Sequence, residues 1–188
     1  MVNPRWDLFD WVVFIFFLTH IPITALLDTQ SILVDTPLGD VLIPPFMKEV
    51  GAWYAAEYKD HLANPALAPA WFKTLLWGEL LLQLPFFFVA LVAWWKKAAW
   101  IRLPALAYGV HTATTLVPIL GDFLTNTGPT VLFTNFNQRI FLSAIYFPYL
   151  AVPALIAWRA AARDHMFDPD VCAGPLHPKG ASQGKKRQ

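Results

Sequence analysis

Little in this sequence is charged. Asp, Glu, Lys and Arg make up 14% of its 188 residues, where roughly 25% is usual for a soluble domain. The formal net charge is +1, so nothing in the charge balance points to a nucleic-acid partner. Cysteine is nearly absent. Cys172 stands alone, which excludes an internal disulfide framework. A cleavable leader is also not expected. Asp7 and Asp10 precede or interrupt the first apolar run and no convincing small-residue cleavage site follows it, so that run reads as a retained membrane helix. There are no internal repeats and no stretch long and polar enough for a separate soluble domain.

What the chain does have is apolar surface. Hydrophobic residues make up 56% of it, against about 45–50% in soluble domains. Nine Trp and fifteen Phe contribute heavily. A soluble chain of this length buries only about two-thirds of what it could expose, so a bilayer is the better solvent. Four apolar stretches, near residues 11–27, 75–95, 103–120 and 140–158, approach or exceed the about 20 helical residues needed to cross a hydrocarbon core. Trp6, Trp11, Trp71, Trp94, Trp95, Trp100 and Trp158 cluster near their ends, where indole rings prefer the headgroup level. The expected fold class is all-α integral membrane, a bundle of four transmembrane helices.

Orientation follows from the basic residues. Arg5, Lys96, Lys97, Arg102, Arg159, Arg163, Lys179, Lys185, Lys186 and Arg187 fall on one side, ten of fourteen, while Lys48, Lys59, Lys73 and Arg139 fall on the other. Both termini are therefore expected in the cytosol. The longest connection, residues 28–70, is acidic yet carries Phe46, Val50, Trp53, Tyr54 and Tyr58. Val50, Trp53, Tyr54 and Glu57 have the spacing of one helical face, which predicts an amphipathic luminal helix near residues 45–58. The membrane domain is expected to end at residue 162. Residues 163–188 are polar and rich in Pro and Gly and read as a disordered cytosolic tail. Lys185 and Lys186, fourth and third from the end, have the spacing of a dilysine retrieval signal for endoplasmic-reticulum membrane proteins.

Ionisable groups at membrane depth cost at least about 2–3 kcal/mol each, so each needs a partner or a purpose. Glu79 and Gln83 lie four apart on the second span, His111, Thr112, Thr114 and Thr115 on the third, and Tyr146 and Tyr149 three apart on the fourth. The first carries Thr19, His20 and Thr24 and ends at Asp28. A partly hydrated cavity inside the bundle satisfies all of these. Prolines such as Pro22, Pro85, Pro118 and Pro148 kink helices, and kinked helices leave volume between them. Other readings stand beside this one. The threonines can serve as hydrogen bonds between helices, His20 and His111 as structural residues, Asp28 as a helix end at the interface, and Asp60 as a solvated loop charge.

The residues also resemble a family. His20-Ile21-Pro22-Ile23-Thr24 followed by Asp28, Trp53-Tyr54-Ala55 followed by Glu57, Lys59 and Asp60, and Gln83-Leu84-Pro85-Phe86-Phe87 all resemble the sigma-2 receptor (transmembrane protein 97) family. So do Val110-His111-Thr112 with Thr114-Thr115, and Pro148-Tyr149-Leu150. The resemblance implies the EXPERA fold, a four-helix bundle shared with emopamil-binding protein, a sterol isomerase. It implies a pocket for sterols or other lipids and for cationic amphiphilic amines, an endoplasmic-reticulum membrane location, a role in sterol handling, and homodimer formation. Asp28 is implied as the carboxylate pairing with a ligand ammonium, Asp60 as its acidic partner, and Glu79, Gln83, Thr115, Tyr146 and Tyr149 as pocket-lining positions. Two carboxylates brought together in a low-dielectric site tend to share one proton, and the singly charged pair then matches one cation. No catalytic residue, metal or cofactor is expected. The alternatives are a sterol Δ8–Δ7 isomerase, or a quality-control factor for mitochondrial precursors like related fungal proteins.

Overall fold

A computed structural model describes residues 6–167, and these form helices and loops with no β-strand among them. α1 (Leu8–Ile23) opens at a capping box, in which the Asp7 carboxylate accepts from the Asp10 N–H and the Asp10 carboxylate accepts from that of Asp7. This satisfies two of the free donors at the helix start. A π-helical turn (Thr24–Asp28) carries α1 on towards α2 (Gln30–Leu33). The first span is thus Leu8–Leu33, 26 residues long. The other spans are Ala70–Trp95, Ala99–Thr125 and Phe136–Ala162. At 1.5 Å per residue each reaches about 39 Å, beyond the ~30 Å hydrocarbon core. The chain is a multi-pass membrane protein.

The second span is α5 (Ala70–Gly78), a second π-helical turn (Glu79–Gln83) and α6 (Leu84–Trp95). The third is a 3₁₀ turn (Ala99–Ile101) running into α7 (Arg102–Thr125), and the fourth is α8 (Phe136–Ala162). α7 and α8 make the most extensive pairing. Gly109 allows their close approach, since a Cβ there would lie 2.5 Å from the Pro153 carbonyl oxygen. Small residues let membrane helices touch where hydrophobic exclusion gives them no reason to.

Between the first two spans lie α3 (Pro37–Leu42) and α4 (Pro45–Glu57), each with proline in its first turn. The amphipathic helix thus forms within a residue of the expected limits, but its inward face differs. Ala55 is buried and Tyr54 turns to the bundle, while Val50 and Trp53 are exposed. Apolar side chains occur on both its buried and its exposed sides, so spacing alone did not distinguish the side that meets the bundle.

Ion pairs tie the end of the bundle that carries the termini. Lys97 pairs with Asp10, and Arg159 Nη1 lies 3.0 Å from Asp7 Oδ2. Arg102 Nε donates to the carbonyls of Ala160 and Arg163. Arg159 Nε donates to that of Met166, and Met166 and Phe167 are buried. The packed chain therefore continues past residue 162. The rest of the expected tail, including Lys185 and Lys186, lies outside the described residues. At the opposite end His61 Nε2 is 2.6 Å from Asp122 Oδ2, and Arg139 donates to the Phe123 carbonyl.

Candidate functional site: a carboxylate-bearing cavity

The two π-helical turns set the site. In an α-helix each residue advances about 100°, and one extra residue in a turn rotates every later side chain by roughly that amount. The turn Thr24–Asp28 brings Thr24 and Asp28 to bear on the second span. The turn Glu79–Gln83 sends Glu79 towards the first span and Gln83 towards the third. Prolines flank both turns, Pro22 before the first and Pro85 after the second.

Thr24 joins the two spans. Its hydroxyl lies 2.6 Å from Glu79 Oε1 and 3.4 Å from Asp28 Oδ2. A hydroxyl has one proton to donate, so the shorter contact takes it and Asp28 is held loosely. His20 Nε2 stands 3.4 Å from the same Glu79 oxygen. The imidazole is stacked on Phe87, with ring centres 4.7 Å apart at 23°, and meets Phe16 and Tyr149 at its sides. Gln83 Oε1 accepts from the Thr112 hydroxyl at 2.9 Å, and Thr115 donates to the Thr112 carbonyl.

These groups face one cavity of about 280 Å³, near the small end of ligand sites. Of the seven expected site residues, Asp28, Glu79, Gln83, Thr115, Tyr146 and Tyr149 line it. Asp60 stands behind the wall. It is fully buried, its Oδ1 accepts from the Leu62 and Ala63 N–H groups, and its Oδ2 accepts from the Tyr146 hydroxyl at 2.8 Å. A helix cap places it there. Lys59, at φ 58°, sits in the left-handed region after α4, and the Asp60 N–H reaches back to the Ala55 carbonyl, the pattern of a Schellman motif. Burial pushes the Asp60 carboxyl above the usual carboxylate range, and its hydrogen bonds only partly offset this. The Tyr54 phenol is likewise pushed up, by burial first and then by the nearby carboxylates. The nearest acidic neighbour tied to Asp28 by a hydrogen bond is Glu79, through Thr24.

From sequence, His20 and Thr24 belong to the polar set of the first span and to the motif that carries the resemblance, His20 weighs as structural, and neither is among the expected site residues. A signal was present, because His20, Thr24 and Asp28 recur every four residues. Among the described residues, no Lys or Arg lines the cavity.

The model of EXPERA, the expanded EBP superfamily, matches residues 46–160. The chain belongs to the EXPERA family. The match holds Asp60, Glu79, Gln83, Thr115, Tyr146 and Tyr149, while His20, Thr24 and Asp28 precede it. This EXPERA chain is also similar to curated relatives. Sigma intracellular receptor 2 of Xenopus tropicalis is 41% identical over 154 residues, covering 79% of this chain and 85% of the relative. The human protein of that name is 39% identical over 158 residues, covering 78% and 84%. A Schizosaccharomyces pombe protein named "Efficient mitochondria targeting-associated protein 19" is 26% identical over 155 residues, covering 79% and 72%.

Proposed function

We propose that this protein is a sigma-2 receptor-like binding protein of the endoplasmic-reticulum membrane, with both termini in the cytosol. Its cavity takes a sterol or similar lipid and, in the same place, cationic amphiphilic amines, and the protein regulates sterol handling. One observation carries this reading: Asp28 and Glu79 stand on a largely apolar cavity that no Lys or Arg among the described residues lines. A carboxylate in such surroundings needs a cation, and an amphiphilic amine brings one attached to an apolar body. The relatives named as receptors support a binding role rather than catalysis.

A second reading, sterol Δ8–Δ7 isomerisation, is favoured by the acid and base groups that share the cavity. Moving a double bond needs a proton donor on one side of the sterol and an acceptor on the other, and Asp28, Glu79 and His20 are groups of that kind. The fungal relative's name suggests a third role, quality control of mitochondrial precursors. Apart from the connection that holds α3 and α4, the loops between spans are short and give that reading little to stand on.

Purified protein incubated with a Δ8-sterol, followed by lipid mass spectrometry, tests the first two readings together. The expected result is a retained sterol of unchanged structure. Conversion to the Δ7 product would overturn the non-enzymatic reading, and recovery of no sterol or related lipid would overturn the pocket's assignment.

A further inference from the structure

We propose that His20, Asp28 and Glu79 form a binding site for a divalent cation of the zinc class on the wall of the cavity. This goes beyond the receptor reading, since it concerns an inorganic ligand and adds a residue, His20, that the amine site does not call on. One ligand atom from each of the three residues lies within 4.8 Å of the other two. Zinc bonds of about 2.0–2.2 Å to nitrogen and oxygen make a tetrahedral edge of roughly 3.4 Å. The His20 Nε2 to Glu79 Oε1 separation of 3.4 Å is already of that length. Asp28 needs a modest inward shift, and only the long 3.4 Å contact to Thr24 holds it back.

His20 supplies a second, independent observation. Its side chain is 6% exposed and lines the cavity. Nδ1 has no hydrogen-bond partner among the described residues, and Nε2 has only the approach to Glu79. A buried imidazole with so little polar company is costly, and Phe16, Phe87 and Tyr149 fix its ring in place. Mixed imidazole and carboxylate donors favour zinc and its transition-metal neighbours over magnesium or calcium. The short hydrogen bond from Thr24 orients the Glu79 carboxylate, as an outer partner does in metal sites. Charge balance agrees, since a divalent ion that displaces any shared proton matches two carboxylates in a cavity that no Lys or Arg among the described residues lines. Three protein ligands leave the fourth position open to the cavity.

The test uses the full chain, purified in detergent and stripped with a chelator. Zn²⁺ is titrated by calorimetry, and Co²⁺ serves as the spectroscopic probe. The expected result is one equivalent of Zn²⁺ per chain and visible Co²⁺ bands of tetrahedral nitrogen and oxygen ligation. In His20→Ala and in the isosteric Glu79→Gln, affinity should fall by more than the about 10–100-fold that follows loss of an outer-shell partner. Thermal unfolding without metal checks that each variant is folded. No stoichiometric Zn²⁺ in the parent protein overturns the proposal, whatever the variants do. Binding that survives both substitutions overturns it too, as do Co²⁺ bands with thiolate charge transfer, because the metal then sits on other residues such as Cys172. No lipid or amine enters the titration, so its failure leaves the receptor reading standing.

Discussion

Replacing Asp28 by Asn should weaken cationic amphiphiles far more than neutral sterols. Truncating one partner of a desolvated, hydrogen-bonded charge pair costs about 2–5 kcal/mol. The geometry places this case at the low end. Glu79 accepts the Thr24 hydroxyl's hydrogen bond at 2.6 Å and borders the same cavity, so an ammonium that loses Asp28 still has a carboxylate to approach. A loss of about 2 kcal/mol corresponds to roughly 30-fold in affinity. A sterol offers only a hydroxyl and loses at most one net hydrogen bond, about 1 kcal/mol or roughly fivefold. The assay is competition binding of a tertiary amine and of a sterol to the parent protein, Asp28→Asn, Glu79→Gln and the double variant. The double variant should lose more amine affinity than the two single losses added together, because the fallback carboxylate is gone. Equal losses for amine and sterol would refute the reasoning, since they would mean that the substitution only disturbs the fold. Strict additivity would show that Glu79 is no fallback.

Three further outcomes are expected. Because burial holds the Asp60 carboxyl above its usual range, its contribution to stability is complete below the unfolded value of about 3.9 and is lost as pH rises through the raised folded value. Asp60→Asn should therefore flatten the fall in thermal stability that begins near the unfolded value of about pH 4 and ends once pH passes the raised folded value, and an unchanged pH slope would sink this account. Gly109→Ala should lower stability by about 1–3 kcal/mol through overpacking, because the new methyl meets the Pro153 carbonyl and Ala157. Gly78→Ala, where an added Cβ meets nothing within 4 Å, should be neutral or stabilising by up to about 1 kcal/mol, and equal effects in the two variants would deny the close α7–α8 approach. On the proposed endoplasmic-reticulum location, changing Lys185 and Lys186 to Arg keeps the lipid attraction of a basic tail but should release the protein from that membrane, as read by microscopy; full retention would mean that the tail is not its address.

The four spans and α4 were legible because hydropathy and periodicity are local properties. Their lengths were less so. The first span was expected to end near residue 27, but it runs to Leu33. Its last turn is polar, and tertiary contacts satisfy it: Gln30 donates to the Leu26 and Met47 carbonyls, and Ser31 donates to that of Leu62. Partners 17 or 31 residues away leave no mark in a local window. The π-helical turns were equally hidden, because a sequence read at a fixed angle per residue has no signal for one additional residue in a turn. They decide that Thr24 and Glu79 meet, and hence that His20 joins the site. Asp60 was found by resemblance, but its place behind Tyr146 depends on the left-handed Lys59 that ends α4.

The distribution of charge links these readings. At the end carrying the termini, Asp7 and Asp10 find Arg159 and Lys97 within the chain, and at the other end His61 finds Asp122. The middle of the bundle is different: Thr24 joins Asp28 to Glu79 and His20 approaches Glu79, and no Lys or Arg among the described residues lines their cavity. An ammonium matches a carboxylate pair that keeps one shared proton, whereas a divalent ion would displace that proton and engage both carboxylates. If both ligands use these carboxylates, they cannot bind independently, and linkage makes the effect reciprocal. Saturating Zn²⁺ should lower the amine's affinity by some factor, and saturating amine should lower that of Zn²⁺ by the same factor. Measuring the two factors in one preparation is a stringent check, since non-specific losses of active protein would not make them agree. Amine and Zn²⁺ binding side by side with unchanged affinities would place the two ligands on different groups.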